Sequence, residues 1–288
     1  MKLSNISFKV LLSLFLLFFI SSGIADAQVK KKSKKWRSPT FSVDIAGSYN
    51  LPLQEIKGEI ADFFTFKNYG TNIGWGAQFN VKFGLGRYGQ YRPYVTLGYA
   101  QFQNSDDNRA YIDSNRIFYG YPLRDSAVYK DTTGTSEIFF RIPYIGGGFE
   151  YAFTTADRRN RAFIPFIGVE FVMSVITGVY RQIPTGTPSG NFQNQEVSFN
   201  IKPDVRLGIG GSIGAHIRFT KAFGIVFGGK YKFANLIGKK SDWLLEENKM
   251  NLLDEAATDL NKRLSEDRNI GFMEFYLGAT IFVGRTRK

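Results

Sequence analysis

Val205-Arg206-Leu207-Gly208-Ile209-Gly210-Gly211-Ser212-Ile213-Gly214-Ala215-His216-Ile217-Arg218-Phe219 is the stretch that decides the fold. Leu207, Ile209, Ile213, Ile217 and Phe219 fall on one parity. Arg206, Gly208, Gly210, Ser212, Gly214, His216 and Arg218 fall on the other. A period of two over this length is a β-strand whose faces meet two different environments. One face is apolar. The other mixes glycine with full charges.

The same pattern recurs on both sides of this stretch. Residues 40–50 alternate Phe41, Val43, Ile45, Gly47 and Tyr49 with Ser42, Asp44, Ala46 and Ser48. Residues 73–83 set Trp75, Ala77, Phe79, Val81 and Phe83 against Gly74, Gly76, Gln78, Asn80 and Lys82. Residues 223–233 and 270–283 repeat it, with Lys230, Lys232 and Glu274 on the polar parity. Residues 93–103, 138–153 and 163–180 alternate less cleanly. The second changes phase near Pro143, which predicts a bulge there. The third places Glu170 on the polar side. The total is eight strands, an even number and the smallest usual size for a membrane barrel.

The connections alternate in length. Residues 51–72, 104–136, 181–195 and 238–269 are long; 85–92, 154–162 and 220–222 are short. In an up-and-down barrel alternate connections lie at opposite ends, so all the long ones share one end. A soluble lipocalin-like barrel would also alternate, with its apolar face inward. Three features favour apolar-out: the loop asymmetry, the charged and Gly-rich polar face, and aromatics at the strand ends. Tyr49, Trp75, Phe102, Tyr180 and Phe233 are expected to form one belt at the long-loop end. Tyr91, Tyr151, Phe153, Phe163, Phe219 and Phe223 are expected to form the other. The predicted class is therefore all-β: an eight-stranded antiparallel up-and-down transmembrane β-barrel with four long extracellular loops.

The N-terminus agrees with export. Lys2 and Lys9 precede an apolar run over 10–20, and Ala25-Asp26-Ala27 follows. These are the three parts of a secretory signal peptide, with cleavage after Ala27. The run is too short for a spanning helix, which needs about 20 apolar residues. The predicted organisation is 1–27 signal peptide, 28–38 basic periplasmic arm, 39–284 outer-membrane barrel and 285–288 basic tail. The sequence has no cysteine, which excludes a disulfide-stapled domain and a thiolate metal site. Aromatics at 16% and 30 glycines suit strands that alternate bulky with small residues.

Signal peptide, eight alternating strands and Gly-rich polar face together resemble the small outer-membrane barrels of the outer-membrane protein A and W types. The resemblance is strongest to those of Gram-negative bacteria of the Bacteroidetes kind. It covers nearly all of the mature chain but is one of pattern. The last strand, Glu274-Phe275-Tyr276-Leu277-Gly278-Ala279-Thr280-Ile281-Phe282-Val283, is similar to a barrel-assembly signal. It departs from it by continuing to Gly284-Arg285-Thr286-Arg287-Lys288. Fold does not decide function, and two classes stay open: a structural or surface-interaction role, with a porin-like channel or carrier for small, even apolar, molecules as the alternative.

The inward charges expected from parity are Asp44, Lys82, Glu170, Arg206, His216, Arg218, Lys230, Lys232 and Glu274. Buried charges must be paired or hydrated. They form either a salt-bridge plug or the lining of an ion path, and eight strands leave room for little more than side chains. His216, the single histidine, could act as a base, but no Ser-His-acid grouping accompanies it, so a structural hydrogen bond is the expectation. No nucleotide, zinc or calcium motif appears, so neither a cofactor nor an enzyme activity is expected. Asp106-Asp107-Asn108 lacks calcium-loop spacing and reads as a loop tip.

The segment with Lys30, Lys31, Lys32, Lys34 and Lys35 supplies much of the net +12. After a signal peptide it reads as an arm for acidic lipid head groups or cell-wall polymers, or as a solvated tail, rather than a nucleic-acid site. In the last long loop, Leu252, Leu253, Ala256, Ala257, Leu260 and Leu264 repeat at helical spacing after Asn251, which predicts a short helix.

Overall fold

The computed structural model describes residues 41–64, 67–86, 88–108, 110–113, 129–132, 134–154, 162–184, 196–239, 249–252, 254–255 and 268–284. The expected signal peptide, the basic arm, the basic tail and most of the helix expected in the last loop lie outside these residues.

Eight strands form the wall: β1 (Phe41–Gln54), β2 (Ile73–Phe83), β3 (Tyr91–Asp106), β4 (Gly134–Ala152), β5 (Phe163–Pro184), β6 (Val197–Arg218), β7 (Phe223–Ile237) and β8 (Ile270–Val283). Each pairs antiparallel with its sequence neighbours, and β1 pairs with β8, so the sheet closes on itself. Closure leaves no long edge with unpaired backbone groups. Small pieces decorate the long-loop end. Helix α1 (Ile60–Phe64) follows β1, strands Ala110–Asp113 and Tyr129–Thr132 pair with each other, and Lys249–Met250 runs parallel to Asn200–Ile201 of β6.

Parity decides what faces where. On β2, Gly74, Gly76, Gln78, Asn80 and Lys82 are buried, while Ile73, Trp75, Phe79 and Phe83 are exposed. Phe171, Leu277, Ile237 and Val169 are the extreme cases, at 72%, 65%, 61% and 59% exposure. Residues this apolar and this bare form a continuous band around the outside. The short-turn belt contains Tyr91, Tyr151, Phe219 and Phe223, all exposed, with Phe153 and Phe163 half-buried.

Two members of the expected long-loop belt are elsewhere. Phe102 and Tyr180 are fully buried and point into the barrel, so on this side the belt keeps Tyr49, Trp75 and Phe233. Nor is there a bulge at Pro143. The β3–β4 register runs unbroken from Tyr91↔Tyr151 to Asp106↔Ser136. The apparent phase change has another cause. The inward positions of β4 carry Glu150, Gly148 and Gly146 low in the barrel and Tyr144, Ile142, Phe140 and Ile138 high in it. The interior changes from polar to apolar while the register holds; on the β5 side the ladder only lacks the pairs at Ile142 and Pro143. Register shifts occur instead opposite Ile176/Gly178 on β5 and at Leu207/Ile209 on β6.

The interior is filled in layers. Near the long loops, Phe102, Ile138, Phe140, Tyr180, Ile201 and Phe272 from the wall pack against Ile56, Ile60, Phe63 and Tyr69 of the first loop and Leu252 of the last. Below lies the charged layer, and a smaller cluster including Ala152, Ile164, Phe166 and Tyr276 packs among it. Inward glycines make room for long side chains. A Cβ on Gly98 would lie 2.2 Å from Cζ of Tyr144, and one on Gly148 would lie 2.4 Å from Cζ of Tyr94. No ordinary side chain fits there.

Candidate functional site

The charged layer consists of two linked sets. The lower one forms a ring of five side chains from five strands. Lys82 Nζ lies 2.8 Å from Asp44 Oδ2 and also bonds Glu150. Arg92 NH1 donates to Glu150 Oε1 at 3.0 Å and lies 3.4 Å from His216 Nδ1. His216 Nε2 stands 3.4 Å from Asp44 Oδ2, which closes the ring. Guanidinium can only donate, so Nδ1 accepts and the proton sits on Nε2, facing the carboxylate. Thr280 adds a donor to Asp44 Oδ1 at 2.8 Å. Each of the five ring residues is at most 4% exposed.

The upper set is built on Glu170 and Glu274. Lys230 Nζ donates to Glu170 Oε2 and to Gln78 Oε1, both at 2.9 Å, and Tyr94 donates to the same carboxylate at 3.1 Å. Lys232 Nζ lies 3.7 Å from Glu170 Oε1 and 3.1 Å from Glu274 Oε1. Tyr144 donates to Glu274 at 3.3 Å and offers its ring face to Lys232, whose Nζ is 3.1 Å from the centroid. The two tyrosines reach the carboxylates over the bare backbone of Gly148 and Gly98. Charge-assisted bonds in a water-poor interior are the strong kind. Between the two sets lies a cavity of about 10 Å³, lined by Asp44, Gln78, Asn80, Lys82, Glu150 and Lys230 among others. That is room for roughly one water molecule.

Parity thus places Asp44, Lys82 and His216 in the lower set and Glu170, Lys230, Lys232 and Glu274 in the upper. Arg218, 5% exposed, stands at the short-turn end with its guanidinium 4.0 Å from the Phe282 ring centroid. Arg206 does not join the lumen set. It sits toward the loops, where Nε and NH2 grip both oxygens of Asp254 at 3.0 and 2.9 Å. Asn235 donates to Asp254 at 2.8 Å and accepts from the Ile270 amide at 2.7 Å. Beside this knot the Tyr69 hydroxyl bonds the Leu252 carbonyl, which ties the first long loop to the last. Burial and the neighbouring Asp254 carboxylate push the Tyr69 phenol above its ordinary range, so it stays a donor.

Three charged residues of these networks are not in the set that parity predicts. Arg92 falls, by the sequence, in the turn before β3. Glu150 is obscured by the phase change expected at Pro143. Asp254 lies in a loop, where parity has no meaning. A strand begun one residue earlier would have found Arg92, and unbroken parity on β4 would have found Glu150. Among the described residues no group of three His, Asp or Glu is placed to hold a metal ion.

No protein-family model matches the chain, and no curated protein matches it. Among solved structures it is similar to Neisserial surface protein A, at 12% identity and a TM-score of 0.41, over 84% of this chain and 97% of that one. It is also similar to Ail, the attachment invasion locus protein of Yersinia pestis, solved with the heparin analogue sucrose octasulfate. That match has 8% identity and a TM-score of 0.34, over 83% and 98% of the two chains. The N-terminal β-barrel domain of Pseudomonas aeruginosa OprF matches at 9% identity and a TM-score of 0.33, over 83% and 96%. At these values the likeness is one of chain path, and the barrel described above stands on its own strand pairing.

Proposed function

We propose that this chain is an exported barrel of the bacterial outer membrane whose role is structural or surface-interacting, not conductive. One observation carries the location: a polar, ion-paired interior inside an exposed apolar exterior. A soluble barrel has the opposite arrangement. Strands of 11 to 22 residues meet or exceed the roughly 9–11 that a tilted transmembrane strand needs. The layers inside favour the structural role over the channel or carrier. An apolar cap of Phe102, Phe140, Phe272 and loop residues overlies a paired charge layer, and the cavity described between its two sets has room for about one water.

In this reading the export signal over 1–27 is cleaved, the long loops face the cell exterior, and both chain ends lie with the short turns in the periplasm. The arm with Lys30, Lys31, Lys32, Lys34 and Lys35 is then available to acidic head groups or cell-wall polymers, on charge alone. The resemblance to barrels of the outer-membrane protein A and W types belongs to the same reading. Fractionation and labelling test it. The protein is expected with outer membranes and in solution only with detergent. A tag beside Asn108 is expected to react on intact cells and one beside Lys32 only after permeabilisation. A stable monomer in detergent-free periplasmic extract, or the reversed labelling, overturns the proposal.

A further inference from the structure

Three basic segments meet on one side of the short-turn end. β1 begins at Phe41 and β8 ends at Val283, and these two residues are register partners. Residues 28–40 and 285–288 therefore adjoin neighbouring points of the wall. On the other side of β8, Phe223 pairs with Ile281, and the Phe282 amide donates to the Ala222 carbonyl at 2.8 Å. The turn carrying the exposed Lys221 thus packs against the same strand end.

The charge of these segments has one sign. Residues 28–40 hold six cations between Lys30 and Arg37, and residues 285–288 hold three, Arg285, Arg287 and Lys288. Neither segment contains an acid, nor does 219–222. Asp44, just inside β1, is buried and held by Lys82 and Thr280. Asp157 belongs to the connection between β4 and β5, on the opposite side of the ring of strands, where Arg158, Arg159 and Arg161 outnumber it. Arg92 and Arg218 are buried in the lumen and take no part. The long connection 238–269 contrasts with all this, having six cations and eight acids. The cations also start where the apolar band stops. Phe83, Phe219, Phe223 and Val283 are exposed at this end, and the Phe41 and Phe83 rings lie 5.9 Å apart. Chain reach keeps Arg37 within about 14 Å of Phe41 and Arg285 within about 7 Å of Val283. Trp36, between Lys35 and Arg37, is of the type that settles at a membrane interface.

We propose that residues 30–37, residues 285–288 and Lys221 form one basic surface for acidic phospholipid head groups of the leaflet at the short-turn end. The inference rests on the membrane reading above and narrows its choice between head groups and cell-wall polymers to the first. An acidic bilayer surface attracts each nearby Lys or Arg, and the attraction fades over a Debye length of about 8 Å at physiological salt. The short reach from Phe41 and Val283 holds Arg37 and Arg285 beside the head groups, and the longer reach of Lys30, up to about 38 Å, lets the segment lie along them. The aromatic edge and Trp36 add contact to a lipid surface, not to a hydrated polymer.

The test folds the purified protein into vesicles of phosphatidylcholine with phosphatidylglycerol and counts retained lipid by native mass spectrometry. The wild type retains phosphatidylglycerol in preference to phosphatidylcholine. With each cation near the surface contributing about fivefold, the triple variant Lys30→Gln/Lys31→Gln/Lys32→Gln lowers that preference on the order of a hundredfold, and the triple Arg variant at the same positions keeps it. Lys221→Gln lowers it about fivefold, and Lys57→Gln, exposed at the long-loop end, leaves it unchanged. The chain has no cysteine, so Ser33→Cys carries a single fluorophore. Its quenching by acrylamide, a neutral solute, falls on vesicles with phosphatidylglycerol but not on phosphatidylcholine alone. Excess soluble peptidoglycan fragments do not restore the quenching. A preference absent from the wild type or kept by the triple Gln variant, equal shielding on both vesicles, or quenching restored by the fragments overturns the inference while the barrel remains inserted. A chain that does not insert overturns the membrane reading, and the inference with it.

Discussion

Glu170 and Lys232 flank Gly210 in one row across β5, β6 and β7, and the Lys232 ammonium lies 3.7 Å from Glu170 Oε1. The glycine between them is what lets the carboxylate cross. A Cβ on Gly210 would stand 3.0 Å from Glu170 Cγ and 3.0 Å from Oε1. Lys230 reaches the other oxygen of the same carboxylate at 2.9 Å. One carboxylate thus balances two buried ammonium groups, which it shares with Glu274 and Gln78.

Glu170→Gln leaves those ammonium groups short of negative charge. Breaking a buried pair costs about 3–5 kcal/mol, and lumen water reduces this. The detergent-solubilised barrel is expected to melt at a lower temperature than the parent, as is Glu274→Gln. Val169→Leu, on the exposed face one residue away, is expected to melt like the parent. Thermal unfolding followed by circular dichroism decides it. Equal melting of the Gln variants and the parent would mean that the charges are solvated, not paired.

Gly98→Ala puts a methyl group into the Tyr144 ring. The ring must move, and the hydrogen bond from Tyr144 to Glu274 and the ring contact with the Lys232 ammonium go with it. Overpacking of this kind costs about 1–3 kcal/mol. Gly211→Ala is the control, because a Cβ there meets nothing within 4 Å. Heat-dependent mobility on gels is expected to separate the two variants, with Gly98→Ala unfolding at the lower temperature. If Gly98→Ala and Gly211→Ala behave alike, the tyrosine is not held where the structure has it.

Asp254→Ala removes the carboxylate that Arg206 and Asn235 hold. The last long loop should then loosen from the barrel mouth. Amide exchange at residues 249–255 is expected to rise strongly, while exchange in β1 to β3 stays slow. Tyr69→Phe loses a single hydrogen bond and is expected to cost about 0.5–1.5 kcal/mol, a milder version of the same effect. Unchanged exchange at 249–255 in Asp254→Ala would show that the knot does not hold the loop.

Phe171→Arg asks what surrounds the barrel. In water, replacing a 72% exposed Phe by Arg is close to neutral. Facing the middle of a bilayer, it costs about 2–4 kcal/mol. The variant, refolded into lipid vesicles, is expected to lose that much stability in urea titrations. A variant as stable as the parent would place the band in water.

The wall was legible because its signal is local. Period two needs no partner strand, and the exposed Ile209 and buried Arg206 of β6 already show both environments in one stretch. Legibility failed where the interior itself changes. At Ile142, Phe140 and Ile138 the inward parity turns apolar to meet the loop residues Ile56, Ile60 and Phe63, and sequence alone reads that as a phase slip. For the same reason Phe102 and Tyr180 read as belt aromatics although they fill the cap. Ion pairs were beyond reach for a different reason. Which inward residues meet depends on the stagger of the strands, and nothing in Lys230 or Glu170 encodes it. Asp254 needed the fold, since a loop carboxylate gains meaning only once Arg206 is found beneath it.

Single-channel recording in planar bilayers tests the central claim, that this barrel is closed by its own side chains, most directly. The purified protein, incorporated at a density verified by its heat-modifiable folded band, is predicted to give no resolved conductance steps in either voltage direction. Discrete steps whose ion selectivity changes in Glu170→Gln would contradict the account, because they would make the charged layer the lining of an open pore.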